Sequence, residues 1–135
     1  MKSNKIASKN NLEKGEEEMS YDESNVFAKI LRHEIPNKTV YEDDFVLSFY
    51  DIAPKAKVHV LVIPKGKYVD FQDMIAHASQ EEINGFLNGI IATTKALNLS
   101  NGYRLVFNTG KDSGQEVPHL HTHILAGEKL CMHQL

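Results

Sequence analysis

Apolar positions are sparse and aperiodic over residues 1–24 and become regular from Asn25 onward. In the first stretch Ile6, Leu12, Met19 and Tyr21 are the sizeable apolar side chains, set among four lysines and six acidic residues. Such a segment cannot offset its ordering entropy by burial. It predicts a disordered tail over 1–24 and one folded domain over 25–135. The start has no apolar h-region and is rich in acidic residues, so neither a secretory signal nor a transit peptide is expected. Met19 is an alternative initiator.

From Asn25 the pattern changes. Val26, Phe27, Ile30 and Leu31 share one helical face, with Ser24 or Asn25 as cap and Pro36 as stop. Extended segments follow over Thr39–Glu42, Phe45–Asp51 and Lys57–Ile63. The β-branched run Val-His-Val-Leu-Val-Ile (58–63), closed by Pro64-Lys65-Gly66, predicts a central strand. Ser79 and Glu82 form a capping-box pattern that opens a helix to Leu97, along which Ile83, Phe86, Leu87, Ile90 and Ile91 recur at helical spacing. Asn101-Gly102 marks a turn, and Tyr103–Asn108 and His119–Leu125 read as strands on either side of a Gly-bearing loop. Strands arrive in runs rather than alternating with helices, which predicts an α+β fold with a five-stranded antiparallel sheet and two helices.

Composition narrows the function. At 135 residues the chain is one ordinary domain, and 41% apolar with 24% charged side chains is the balance of a soluble globular protein. A net charge of −3 argues against nucleic acid as partner. No run reaches the roughly 18–20 apolar residues of a membrane span. The single cysteine, Cys131, excludes an intramolecular disulfide and fits a reducing, cytoplasmic setting.

Of the 7 histidines, three fall within five residues, in Pro118-His119-Leu120-His121-Thr122-His123-Ile124-Leu125. On a strand, His119, His121 and His123 project from one face and sit roughly 6.5–7 Å apart at Cα. Buried imidazoles need hydrogen-bond partners that Val or Ile would not, so three in alternation point to a site rather than to packing. Two chemistries use such a row. One is metal binding, with His59, Cys131 and His133 as supplementary ligands. The other is nucleophilic chemistry on an anion, where neutral imidazole attacks and neighbouring N–H groups hold phosphate oxygens. The upstream loop, Asn108-Thr109-Gly110-Lys111-Asp112-Ser113-Gly114-Gln115-Glu116, favours the second, since its backbone and amide N–H groups suit a phosphate.

With these motifs the chain resembles the histidine triad (HIT) superfamily and, within it, the Hint branch of purine nucleoside phosphoramidases. The resemblance covers about residues 25–130. It is carried by His119-x-His121-x-His123-Ile-Leu, by Phe27-Ala-Lys-Ile-Leu-Arg-His-Glu-Ile-Pro36, and by Tyr41-Glu-Asp-Asp44. Asp51-Ile-Ala-Pro54, His59-x-Leu-Val-Ile-Pro64 and Gly114-Gln115-Glu-Val complete it in order. It implies a HIT domain over 25–135 and a metal-free, two-step hydrolysis. His121 would attack the α-phosphorus of a nucleoside 5′-phosphoramidate, and water would release the nucleoside monophosphate. His59 and His123 would support the nucleophile, and His119 would lie near the phosphate and leaving group. Asn108, Gly114 and Gln115 would line the phosphate loop, with Glu116 near the leaving group. Asp51 would bind the ribose hydroxyls. Phe27, Ile30, Phe49 and Ile52 would form the slot for a purine base, although these four also read as plain core. The resemblance further implies a homodimer with the sheet extended across it.

Two departures qualify the resemblance. Glu116 stands where animal Hint proteins often carry Ser, and the C-terminus Cys131-Met-His-Gln-Leu135 lacks their Trp-containing tail. Leaving-group preference therefore does not carry over. Alternatives from the residues are a dinucleoside polyphosphate hydrolase, a zinc- or copper-binding protein, and a nucleotide-binding module without turnover. No cofactor is required by the first reading, and zinc at the histidine cluster belongs to the second alternative.

Overall fold

The apolar run at residues 58–63 has no polar face, and the fold buries both of its sides. In the computed structural model of the chain, which describes residues 20–135, this run is strand β3 (Val58–Pro64), buried from His59 to Pro64. The other strands are β1 (Thr39–Glu42), β2 (Val46–Tyr50), β4 (Arg104–Phe107) and β5 (Thr122–Ala126). They form one sheet in the order β1-β2-β3-β5-β4, with every neighbouring pair antiparallel. The predicted central strand is thus central, and the five-stranded antiparallel sheet is as expected.

Helices cover both faces. On one side α1 (Val26–Leu31) places Phe27 and Ile30 against Leu47, Phe49, Leu61 and Ile63. On the other, α2 (Phe71–His77) and α3 (Gln80–Ala96) bring Met74, Phe86 and Ile90 onto Val46, Val60, Val62 and Ile124. Burying side chains of this size contributes roughly 1.5–3 kcal/mol each. Gly89 allows α3 to lie close to the sheet, because a Cβ there would meet the Val46 methyl at 2.5 Å.

The caps follow the sequence. The Asn25 side chain accepts from the Ala28 N–H at 2.9 Å and opens α1. Ser79 Oγ accepts from the Glu82 N–H at 3.1 Å, and Glu82 accepts in return from the Ser79 N–H, which is the predicted box.

The structure corrects two boundaries and one burial expectation and adds one element. Helix α1 ends at Leu31 rather than running toward Pro36, because His33 takes a left-handed conformation with φ 65°. Strand β5 begins at Thr122, so His119 and His121 lie in the segment leading into it. On α3, Phe86 and Ile90 are buried but Leu87 and Ile91 are half exposed. The short helix α2 escaped the sequence reading. Its Asp70 cap accepts from the Asp73 N–H at 2.8 Å, and the extended Ala78 separates it from the longer helix behind it. Seven residues are too few to show a helical period. Residues 1–19 of the predicted tail lie outside the described residues.

Candidate active site

The β3–β5 pairing builds the centre of the site. His59 stands opposite Leu125, and His123 stands opposite Leu61, so the two histidines are diagonal neighbours on the face that α1 covers. Their rings approach to 5.2 Å between centroids, with His59 Nε2 2.9 Å from His123 Nδ1. His121 lies on the same side, its ring 5.2 Å from that of His123 and 5.0 Å from that of Phe27. Asp51 follows β2. Its backbone N–H donates to the His59 carbonyl, and its Oδ2 lies 3.4 Å from His59 Nε2.

Hydrogen bonds fix which nitrogen carries each proton. His59 Nδ1 accepts from the Lys55 backbone N–H at 2.9 Å, so the His59 proton sits on Nε2 and points at His123 Nδ1. His123 then carries its own proton on Nε2. His121 Nδ1 donates to the His119 carbonyl at 2.7 Å, which leaves His121 Nε2 as a lone pair. His119 Nε2 donates to the Pro64 carbonyl at 2.9 Å, and its Nδ1 accepts from the Tyr21 hydroxyl.

Burial keeps the rings neutral. It holds His119 down at about 4 and His123 down at about 4, the latter helped by the neighbouring His121 and His59. Burial also lowers His121, against the opposing pull of the His119 carbonyl and of Asp51, and lowers His59 against Asp51. At neutral pH the site therefore presents an unprotonated nitrogen on His121 beside an N–H on His123. That pair can attack an electrophilic centre and hold an oxygen bound to it.

The other expected residues divide. Phe27, Ile30 and Phe49 are buried in the α1-face core, and Phe27 walls the site through its edge contact with His121. Ile52 is fully exposed beside Asp51, outside that core. In the β4–β5 loop Gly114 and Glu116 are exposed and Asn108 is half-buried. Gln115 is spent on bonds within the protein that tie the loop to the β3–α2 connection: its amide donates to the Val69 and Val117 carbonyls and accepts from the Gly110 N–H. His119 was expected near the leaving group, but both of its ring nitrogens bond protein groups, and only its carbonyl serves His121. Two partners escaped the sequence reading, the Lys55 backbone N–H and Tyr21, and neither had any periodic signal.

Asp51, His59 and His123 also place one ligand atom each within 4.8 Å of one another, a geometry that can hold a metal ion. Among the described residues no helix is long and apolar enough to cross a membrane.

Residues 32–130 match the HIT domain. The chain belongs to the HIT domain family. It is 48% identical over 112 residues to an uncharacterized 13.2 kDa HIT-like protein of Azospirillum brasilense, covering 82% of this chain and 92% of that one. Among solved structures it is similar to a HIT family hydrolase from Clostridium thermocellum, at 34% identity and TM-score 0.70 over 82% and 96% of the two chains. It is also similar to a histidine triad nucleotide-binding protein from Candida albicans, at 31% identity and TM-score 0.67 over 75% and 73%. The histidine row His119, His121 and His123 lies within the matched residues.

Proposed function

We propose that this HIT protein is a nucleotide hydrolase of the phosphoramidase type, acting on purine nucleoside 5′-phosphoramidates through His121. The observation that carries the reading is the His121 Nδ1–H bond to the His119 carbonyl, which leaves Nε2 unprotonated. In the first step Nε2 forms a bond to the α-phosphorus while the phosphorus–nitrogen bond to the amine breaks and the amine leaves with a proton. In the second step water adds to phosphorus, the bond to His121 breaks, and the nucleoside monophosphate is released. The net reaction is phosphoramidate plus water to monophosphate plus amine. His123 Nε2–H is the donor for a phosphate oxygen as charge builds there. Asp51 is assigned to the ribose hydroxyls, since it lies beside the rings and has two acceptor oxygens. The loop residues Asn108, Gly114 and Glu116 are assigned to the phosphate and leaving-group side, with Gln115 bracing that loop through its bonds to Val69, Val117 and Gly110, and Phe27, Ile30, Phe49 and Ile52 to the base. The Candida and Clostridium relatives, named for nucleotide binding and hydrolysis, support this reading.

The reading includes a homodimer, supported by Leu87 and Ile91 on α3 and Leu105 on the edge strand β4, all apolar and partly exposed. It also includes a cytoplasmic setting, for which the single exposed Cys131 is the support. No cofactor is assigned. A second reading has one specific observation, the Asp51–His59–His123 group, whose donors suit zinc. The hydrogen bond between His59 and His123 accounts for their proximity without an ion, so hydrolysis is preferred.

The test is a panel of nucleoside 5′-phosphoramidates and dinucleoside polyphosphates assayed with and without chelator. Turnover of the phosphoramidates that resists the chelator is the expected result. Turnover only of the dinucleotides moves the substrate to that class. Turnover abolished by the chelator favours the metal site, and nucleotide binding without any turnover reduces the protein to a binding module.

A further inference from the structure

We infer that Tyr21 is a positioning residue for the triad: its hydroxyl donates to His119 Nδ1 and thereby holds the peptide whose carbonyl orients His121. The inference rests on the hydrolase reading above, and it places part of the site's support in a segment that the sequence assigned to a tail.

The need for such a support comes from the position of β5. That strand starts at Thr122, so no sheet ladder holds the His119 peptide. Yet the His119 carbonyl is the group that takes the His121 Nδ1 proton and so keeps Nε2 free. Three bonds steady that peptide. The Leu120 N–H donates to the Tyr68 carbonyl at 2.8 Å. His119 Nε2 donates to the Pro64 carbonyl at the end of β3. Tyr21 supplies the third, and its ring meets His119 edge-on at 5.5 Å between centroids. With both nitrogens bonded to the protein, the fully buried His119 ring has one orientation and one tautomer. Burial raises the Tyr21 phenol above its usual range and lowers His119 to about 4, so at neutral pH the phenol keeps the proton and the ring accepts it.

Tyr21 is itself tied in place. The Asp22 carbonyl accepts from the Asn25 backbone N–H at 3.2 Å and from the Asn25 side-chain amide at 2.7 Å. Glu23 pairs with Lys67 at 2.7 Å, and the Glu23 carbonyl accepts from Arg32 at 2.9 Å. Residues 21–25 therefore form a strap from α1 across to the β3–α2 connection, and the phenol hangs from it over the triad.

The test is Tyr21→Phe in the full chain, which keeps the ring and removes the hydroxyl. Losing one neutral hydrogen bond predicts a fall in kcat of roughly five- to tenfold, with KM changed by no more than about twofold, since no substrate contact is removed. In nitrogen-15 spectra of the imidazoles, the His119 Nδ1 resonance should move to that of an unbonded pyridine-type nitrogen while Nε2 stays protonated. Folded Tyr21→Phe with wild-type kcat overturns the inference, as does an unmoved His119 Nδ1 resonance. A kcat loss matched by an equal loss of folded protein in circular dichroism also overturns it, because the role would then be stability alone. A wild-type chain that turns over no phosphoramidate defeats the hydrolase reading and the kcat claim with it. The nitrogen spectra still decide on their own whether Tyr21 holds His119.

Discussion

His59 Nε2 lies 2.9 Å from His123 Nδ1, although the two residues are diagonal rather than opposite in the sheet. The contact forms because both rings lean into the same α1-covered face, and the Lys55 N–H on the far side of His59 sets the direction of the proton. His59 is thereby the group that fixes the His123 proton on Nε2, the ring nitrogen away from it.

Replacing His59 therefore acts through His123. His59→Phe leaves His123 Nδ1 without a donor, so its two tautomers become competitive and the site loses its fixed N–H. A fall in kcat of about tenfold or more is expected, with monophosphate affinity largely kept. His59→Gln can still donate and should recover part of the loss. Steady-state kinetics with calorimetric binding separates the two effects.

The bond-forming atom is a different matter. His121→Ala should lower turnover by a factor on the order of 10³ or more while leaving nucleotide binding measurable. Rapid mixing of wild type with a phosphoramidate, followed by mass analysis, should find a nucleotidyl adduct on His121. An adduct on another residue overturns the assignment.

Stability should depend on pH with a defined sign. His119 and His123 titrate near 4 in the folded chain and near 6.5 when unfolded, so between these values the unfolded state binds more protons. Folding is then favoured at pH above about 6.5 and weakens as pH falls from there to about 4, by roughly 3 kcal/mol for the fully buried His119 and by less for His123, whose shift burial shares with the neighbouring His121 and His59. The melting temperature should be flat near pH 7–8 and drop through that window. In His119→Asn the drop should be shallower.

Packing of α3 offers a test of the fold. Gly89→Ala places a methyl 2.5 Å from the Val46 side chain, too close without movement of the helix. The usual helix-propensity gain of alanine is outweighed, and a net loss of about 1–2 kcal/mol is expected by denaturant titration. An equal or higher stability would mean that α3 lies farther from the sheet.

The proposed dimer predicts that Leu87→Asp with Ile91→Asp yields a monomer by sedimentation at micromolar concentration, with secondary structure unchanged. Both side chains are half exposed, so the folded monomer should tolerate the charges. A wild-type chain that already sediments as a monomer overturns the dimer.

Much was decided by the sequence alone, and for local reasons. The Asn25 and Ser79 caps, the central Val58–Ile63 strand and the side of the histidine row follow from hydrogen-bonding side chains and short-range periodicity, which act within a few residues. The alternating spacing put His119, His121 and His123 on one side even though β5 forms only from Thr122. Tertiary structure decided what long-range contacts alone can set. It separated Phe86 and Ile90 from Leu87 and Ile91, because one small sheet can cover only part of the broad apolar surface of α3. It turned His119 inward to the Pro64 carbonyl, 55 residues away, and to the Tyr21 hydroxyl, 98 residues away. It gave His59 its proton direction through the Lys55 backbone N–H. Backbone donors and acceptors are the same at every residue, so no reading of side-chain types could show which of them would meet a ring. Chain folding set those distances, and with them the division between the histidine that attacks and the histidines that hold it in place.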